Sequence, residues 1–252
     1  YAYEVRSERH VHAPMGIDRE VRVLHLLREH KGPSEVASLA LDPALRGSGL
    51  GRVMSLVRLL FVAAHRERFA GTLIAELRGY QDADGRSPFW EGVGRRFFLR
   101  EFAEADFLSG IGHRDFIEDL MPRHPIYVDL LPEDVREAIG RPHAQSAPAL
   151  RTLEREGFRH TGQVDIFDAG PIVSAPVEEV RTVREHRRVT VRAILDATPG
   201  TDPVLVCNGR LDLRAAAARV ADDGQGWIGL ARADAERLEV GLGDVVQVTG
   251  LG

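Results

Sequence analysis

Glu35-Val36-Ala37-Ser38-Leu39-Ala40-Leu41-Asp42-Pro43-Ala44-Leu45-Arg46-Gly47-Ser48-Gly49-Leu50-Gly51-Arg52 is the stretch whose reading decides the fold. Its first part, residues 35–41, reads as a buried strand. Its second part is a glycine-rich turn that opens a long helix. Apolar residues recur there at helical spacing, at Leu50, Met54, Val57, Leu60, Phe61 and Ala64, in a segment running to Phe69. Glycines at 47, 49 and 51 leave backbone N–H groups uncovered by side chains. The helix start adds its own unpaired N–H groups and its positive dipole end. Such a loop suits an anion, a pyrophosphate in particular. It is not a P-loop, because no Lys-Ser or Lys-Thr follows the glycines. It is not the dinucleotide fingerprint, because Arg52 stands where the third glycine belongs. The spacing that fits has Arg or Gln, two residues, Gly, one residue, then Gly or Ala, with Arg46, Gly49 and Gly51 in the fixed places. The alternative is a glycine-rich helix start that binds nothing.

Working outward, 252 residues are enough for a large core and more than one structural unit. The net charge of −5, with basic residues scattered, argues against general nucleic-acid binding. Cys207 is the only cysteine, which excludes an internal disulfide and points to the cytoplasm. No apolar run reaches the length of a membrane span, so no membrane partner is expected. The chain opens at Tyr1, without Met and already strand-like, so an N-terminal portion is expected to be missing.

Residues 1–11 and 19–27 read as strands. In the second, Val21 and Val23 fall on one face and Leu24 and Leu26 on the other, which predicts cover on both sides. Residues 35–41 are expected to pair back on 19–27. Residues 72–77 then close a strand–helix–strand unit. Ser87-Pro88 caps a helix carrying Phe89, Trp90, Val93, Phe97 and Phe98. Residues 146–156 form a helix stopped by Gly157, and 158–172 are mostly extended. After Pro176 a charged helix leads into β-branched stretches at 189–194 and 203–206, a small helix at 215–220 and a strand at 245–248. The expected division is a core over 1–175 and a small β-rich C-terminal subdomain over 176–252.

Candidate chemistry lies in three places. His143, just before helix 146–156, carries an imidazole, a group that titrates near neutrality and suits proton transfer. A surface or capping histidine is the alternative. Glu76 and Arg78 lie at the end of strand 72–77, on one face by the period of two, as substrate groups or as a structural ion pair. Asp165 and Asp168 precede Gly170-Pro171, where they either meet a cation or form the turn. His10 and His12 have no carboxylate or Cys cluster beside them, so no metal is expected.

The glycine loop resembles the acyl-CoA pyrophosphate loop of the GNAT acyltransferase superfamily. Ala149, Gly157 and Phe158 are in register with the helix that in those enzymes packs beside the thioester. Ser146 replaces its Asn. Leu153 replaces the Tyr that often protonates the departing thiolate, so another group must do that work. Longer motifs narrow the resemblance. Ala75-Glu76-Leu77-Arg78-Gly79, Ser87-Pro88-Phe89-Trp90-Glu91, Phe116-Ile117-Glu118-Asp119-Leu120-Met121-Pro122-Arg123-His124-Pro125-Ile126-Tyr127, Ile139-Gly140 with His143 and Ala147-Pro148-Ala149, and Val164-Asp165-Ile166-Phe167-Asp168-Ala169-Gly170-Pro171 together resemble the arginine N-succinyltransferase family, in its order.

That resemblance implies a mixed α/β, GNAT-like core and transfer of succinyl from succinyl-CoA to the α-amino group of arginine, with ornithine used by some members, in arginine catabolism. It implies His143 as proton donor and Leu39 as a succinyl-CoA contact through its backbone. Arg46, Gly47, Gly49 and Gly51 would hold the pyrophosphate. Succinyl-CoA would be a co-substrate, with no tightly bound cofactor. The chain would work as a homo-oligomer or with a related subunit. An arginine acceptor needs carboxylates for its guanidinium and a cation for its carboxylate, and Glu76, Arg78 and Asp165 are the candidates. The rival readings are a non-catalytic partner subunit or acyl-CoA-binding regulator on the same fold, and acetyl rather than succinyl transfer to another amine.

Overall fold

The computed structural model describes residues 1–28, 32–110, 115–122 and 124–251. Its strands are β1 Ala2–His12, β2 Ile17–Leu27, β3 Ser34–Glu35, β4 Thr72–Glu76, β5 Ile126–Tyr127, β6 Arg159–Asp165, β7 Pro171–Pro176, β8 Arg187–Leu195, β9 Pro203–Cys207, β10 Ala215–Asp222, β11 Trp227–Ala231 and β12 Val245–Gly250. The chain divides into two compact units. The first is Tyr1–Gly32, Ile74–Leu150 and Arg159–Ser174; the second is Pro33–Leu73, Arg151–Phe158 and Ala175–Gly252.

In the first unit the strands run in the order β4-β7-β6-β1-β2-β5. β1 and β2 form an antiparallel hairpin in register from Ala2↔Leu27 to His12↔Ile17. Ala2, Tyr3 and Glu4 also pair with β6, and Val23 and Leu24 with β5. Val23 and Leu24 point to opposite faces of β2 and both are buried, as expected of a strand covered on both sides. The core gathers Tyr3, Leu24, Phe89, Trp90, Phe98, Val164 and Ile166. Trp90 stacks on Phe98 with ring centroids 5.5 Å apart. Ser87 Oγ accepts the Trp90 N–H at 3.2 Å, the cap expected there. The helix it opens loosens to a π-turn over Trp90–Gly94 before Arg95–Phe98.

The second unit holds the helix Leu50–Ala64, whose buried face includes Leu56, Leu59, Leu60 and Val62, and a closed barrel in the order β10-β11-β8-β12-β9. β11 runs parallel to β8, and the other recorded pairings are antiparallel. Val189, Val191, Val206, Val220, Ile228, Leu230, Leu238 and Val246 fill it.

Two expectations are corrected. Residues 35–41 do not pair with β2, whose partners are β1 and β5. Of that stretch only Glu35 belongs to a strand, the short β3. The chain leaves extended geometry at Ser38, with φ 57, and the Ala37 carbonyl accepts from the Arg58 guanidinium at 3.1 Å instead of joining a ladder. Residues 215–220 are not helical but lie in β10. Ala-rich sequence favours helix intrinsically. Here Ala218 and Val220, two apart, point into the barrel core, and that burial outweighs propensity.

Candidate active site

The turn from β6 to β7 is built by two aspartates. Asp165 Oδ1 accepts the N–H of Phe167 at 2.7 Å and of Asp168 at 3.0 Å. Asp168 Oδ1 accepts Gly170 N–H at 2.8 Å, and its Oδ2 accepts Gly79 N–H at 2.7 Å. The turn thereby grips the chain just beyond β4, where Leu77 N–H also donates to Pro171 O at 3.1 Å. The two backbones come so close that a Cβ on Gly170 would overlap the Leu77 carbonyl oxygen, which is why glycine stands there.

The segment carrying His143 hangs on the same two pieces. Gly140 N–H donates to Ala169 O at 2.9 Å and His143 N–H to Arg78 O at 2.8 Å. Pro142 bridges to Gly79 between them, and the Arg141 guanidinium lies 3.8 Å from the centre of the Tyr80 ring. His143 then starts the helix Ala147–Arg155, its carbonyl accepting from Ser146 and Ala147 at 2.9 and 3.1 Å. Its Nδ1 accepts the Gln145 N–H at 3.1 Å. An Nδ1 that accepts leaves Nε2 as the protonated nitrogen of the neutral ring, so the half-buried imidazole offers a donor at Nε2.

Glu76, Arg78 and Asp165 come together. With Leu77, Phe102, Asp106, Phe167 and Asp168 they line a cleft of about 520 Å³. Arg78 is exposed and donates to Gln81 Oε1 at 2.7 Å. Burial, then the charge of Asp168, pushes the Asp165 carboxyl up to about 7, against the two N–H groups it accepts. Burial raises Asp168 as well. The charge of one carboxyl bears on the other, so a proton held near neutrality belongs to the pair. Asp165 and Asp168 are thus the turn-formers of the sequence alternative, and Asp165 reaches the cleft at the same time.

Phe102 and Asp106 were not foreseen as cleft residues. They come from the helix Phe102–Gly110, whose sequence carries no local sign that it meets the end of β4. His143 is not among the residues lining this cleft.

The glycine loop lies in the second unit. Asp42 caps a 3-10 turn, Pro43–Leu45, through the Ala44 N–H at 2.8 Å. Ser48 Oγ donates to Leu45 O at 2.6 Å and accepts Leu50 N–H at 3.3 Å. Gly49, at φ 83, caps the helix Leu50–Ala64, and its carbonyl accepts from Arg52 and Val53. Among the described residues, no hydrogen bond engages the N–H of Gly47, Gly49 or Gly51. Nothing lies within 4 Å of where a Cβ on Gly47 or Gly49 would sit. Arg46 is exposed, while Leu39 is half-buried and outside any strand. Open glycine N–H groups at the start of a fifteen-residue helix are the arrangement that suits an anion.

The fold is that of the α/β acyltransferases. It matches the structure described as "The structure of arginine/ornithine succinyltransferase subunit AI from Pseudomonas aeruginosa" with a TM-score of 0.88 and 33% identity, over 100% of this chain and 72% of that one. Residues 1–182 match the family model "Arginine N-succinyltransferase beta subunit", and residues 187–250 the model of its C-terminal domain. The chain belongs to the arginine N-succinyltransferase family. It is 43% identical over its full length to a protein of that name from Yersinia enterocolitica, of which it covers 73%. It is 39% identical to one from Salmonella paratyphi B, again covering 73% of the relative. A Yersinia pestis relative is 48% identical over 191 residues, 76% of this chain and 55% of that protein. The chain is therefore an acyltransferase by family. No described helix is long and apolar enough to cross a membrane.

Proposed function

We propose that this chain transfers the succinyl group of succinyl-CoA to the α-amino group of arginine, with ornithine as a second acceptor, in the cytoplasm and in arginine breakdown. The deprotonated amine attacks the thioester carbonyl. A C–N bond forms, the C–S bond breaks, and the thiolate leaves with a proton from His143 Nε2. The amine's surplus proton passes to solvent. Arg46 and the N–H groups of Gly47, Gly49 and Gly51 hold the pyrophosphate of succinyl-CoA, which acts as co-substrate and is not a resident cofactor. The backbone at Leu39 receives the thioester end and stabilises the oxyanion. Glu76 and Asp165 face the guanidinium, and Arg78 the arginine carboxylate. The chain works in an assembly of like or related subunits, in line with the "beta subunit" of the family model and the "subunit AI" of the structural relative.

The observation that carries the mechanism is the bond from Gln145 N–H to His143 Nδ1, because it leaves the ring's proton on Nε2. The test is release of CoA by the purified chain, with succinyl-CoA and acetyl-CoA each paired with arginine, ornithine and lysine. Turnover highest with succinyl-CoA and arginine is expected. A preference for acetyl-CoA or for lysine would overturn the substrate assignment. Tight acyl-CoA binding without turnover on any amine would make the chain a non-catalytic acyl-CoA-binding subunit.

A further inference from the structure

We infer that Asp168 is a positioning residue for His143, acting through main chain and not through substrate; the role rests on His143 being the proton donor. Two backbone carbonyls carry the His143 segment: Arg78 O holds His143 N–H and Ala169 O holds Gly140 N–H. Each carbonyl is one residue away from an N–H bound by Asp168. Gly79 follows Arg78 and donates to Oδ2, while Gly170 follows Ala169 and donates to Oδ1. One carboxylate, 6% exposed, thus fixes the spacing of the two hooks from which the histidine is hung. Its neighbours leave no slack. A Cβ on Gly79 would strike the Asp168 backbone, and one on Gly170 would come 2.6 Å from Gly79 N. Ala169 is held at φ 54, a left-handed conformation that a non-glycine residue keeps only when its surroundings impose it.

Asp168 also borders the cleft, yet both of its oxygens are engaged by buried N–H groups. A residue with that double engagement governs geometry: loss of either bond lets Arg78 O and Ala169 O move apart and shifts the imidazole. A displacement of about 1 Å of a catalytic group can cost about 10²-fold in rate.

The experiment is a double-variant cycle on the full chain. Asp168→Asn keeps the shape but turns an amide toward one of the two N–H donors. It is expected to lower kcat about 10- to 100-fold, with KM for arginine and for succinyl-CoA within about twofold. In a His143→Ala background it should lower kcat no further, because it acts through that ring. His143→Ala at wild-type turnover would remove the proton donor and the underlying reading with it. His143→Ala impaired, with Asp168→Asn at wild-type kcat, would overturn the positioning role alone. So would a rise in KM for arginine at unchanged kcat, the mark of a substrate ligand, or losses that multiply in the double variant. Should Asp168→Asn fail to fold, Asp168→Ser, which keeps an acceptor, is measured the same way.

Discussion

Glu156 and Arg181, twenty-five residues apart in sequence, form a closed clamp in the second unit. Glu156 Oε1 accepts from both Nε and Nη2 of Arg181, at 3.0 and 2.6 Å. Its Oε2 accepts Thr182 N–H at 2.8 Å, and its carbonyl accepts Arg181 N–H at 3.0 Å. The carboxylate is 1% exposed, so removing its cation leaves a buried charge with too little compensation. Arg181→Ala should destabilise the protein by about 3–5 kcal/mol, read as a lower urea midpoint. A change equivalent to less than about 1 kcal/mol, the scale of an exposed pair, would show that water takes over the role.

The loop assignment predicts that Gly49→Asp weakens acyl-CoA binding at least tenfold, about 1.4 kcal/mol. The variant sets a negative charge against the phosphates and forces a side chain into φ 83. Gly49→Ala carries the same backbone strain without the charge and should lose less. Titration calorimetry with CoA separates the two, and equal affinity in folded wild type and Gly49→Asp would dismiss the loop as the anion site.

For His143 the prediction is a loss of about 10²–10⁴ in kcat on substitution by Ala, with a small change in KM for succinyl-CoA. A general acid acts in the transition state and adds little to ground-state binding. The readout is steady-state CoA release with each substrate varied.

Glu76 and Asp106 are two carboxylates that line the cleft. Glu76→Gln and Asp106→Asn should each raise KM for arginine several-fold while leaving KM for the acyl donor in place. If neither does, the guanidinium is held elsewhere.

Asp165 gives a pH signature. Its carboxyl titrates higher when folded than the ordinary 3.8 of the unfolded chain, chiefly through burial. The folded state therefore binds the extra proton, and the stability this contributes is lost as pH rises from about 4 to about 7. Asp165→Asn carries no such proton and can still accept from Phe167 and Asp168. Its urea midpoint should gain on the wild type across that window. A wild type that gains on the variant from pH 5 to pH 8 would reverse the sign and sink the assignment.

What was legible beforehand followed local rules. Helical spacing after Gly49 announced the helix Leu50–Ala64, and Ser87-Pro88 announced the cap of the helix that carries Phe89 and Trp90. The β-branched runs near 189 and 203 announced β8 and β9. The failures came where distant partners decide. Four consecutive alanines became part of β10 because Val204, Leu205, Val206 and Cys207 of β9 pair with them. Residues 36–41 lost their strand to a left-handed Ser38 and a guanidinium from the following helix. Asp165 and Asp168 were recognisable as turn-formers or ligands. Only the packing shows that Asp168 reaches back 89 residues to Gly79. Asp106 carried no signal, since its relevance comes from a helix meeting the end of a strand.

The barrel also bears on how the chain can be made. β12 lies between β8 and β9, so closure of that barrel waits for residues 245–250. The helix Leu50–Ala64, synthesised nearly two hundred residues earlier, packs in the same unit. Non-local pairing of this kind carries a high contact order and slow folding. On a ribosome that adds about 5–20 residues per second, the early helix spends on the order of ten seconds or more with its apolar face uncovered. Expression at lowered temperature should then raise the soluble yield.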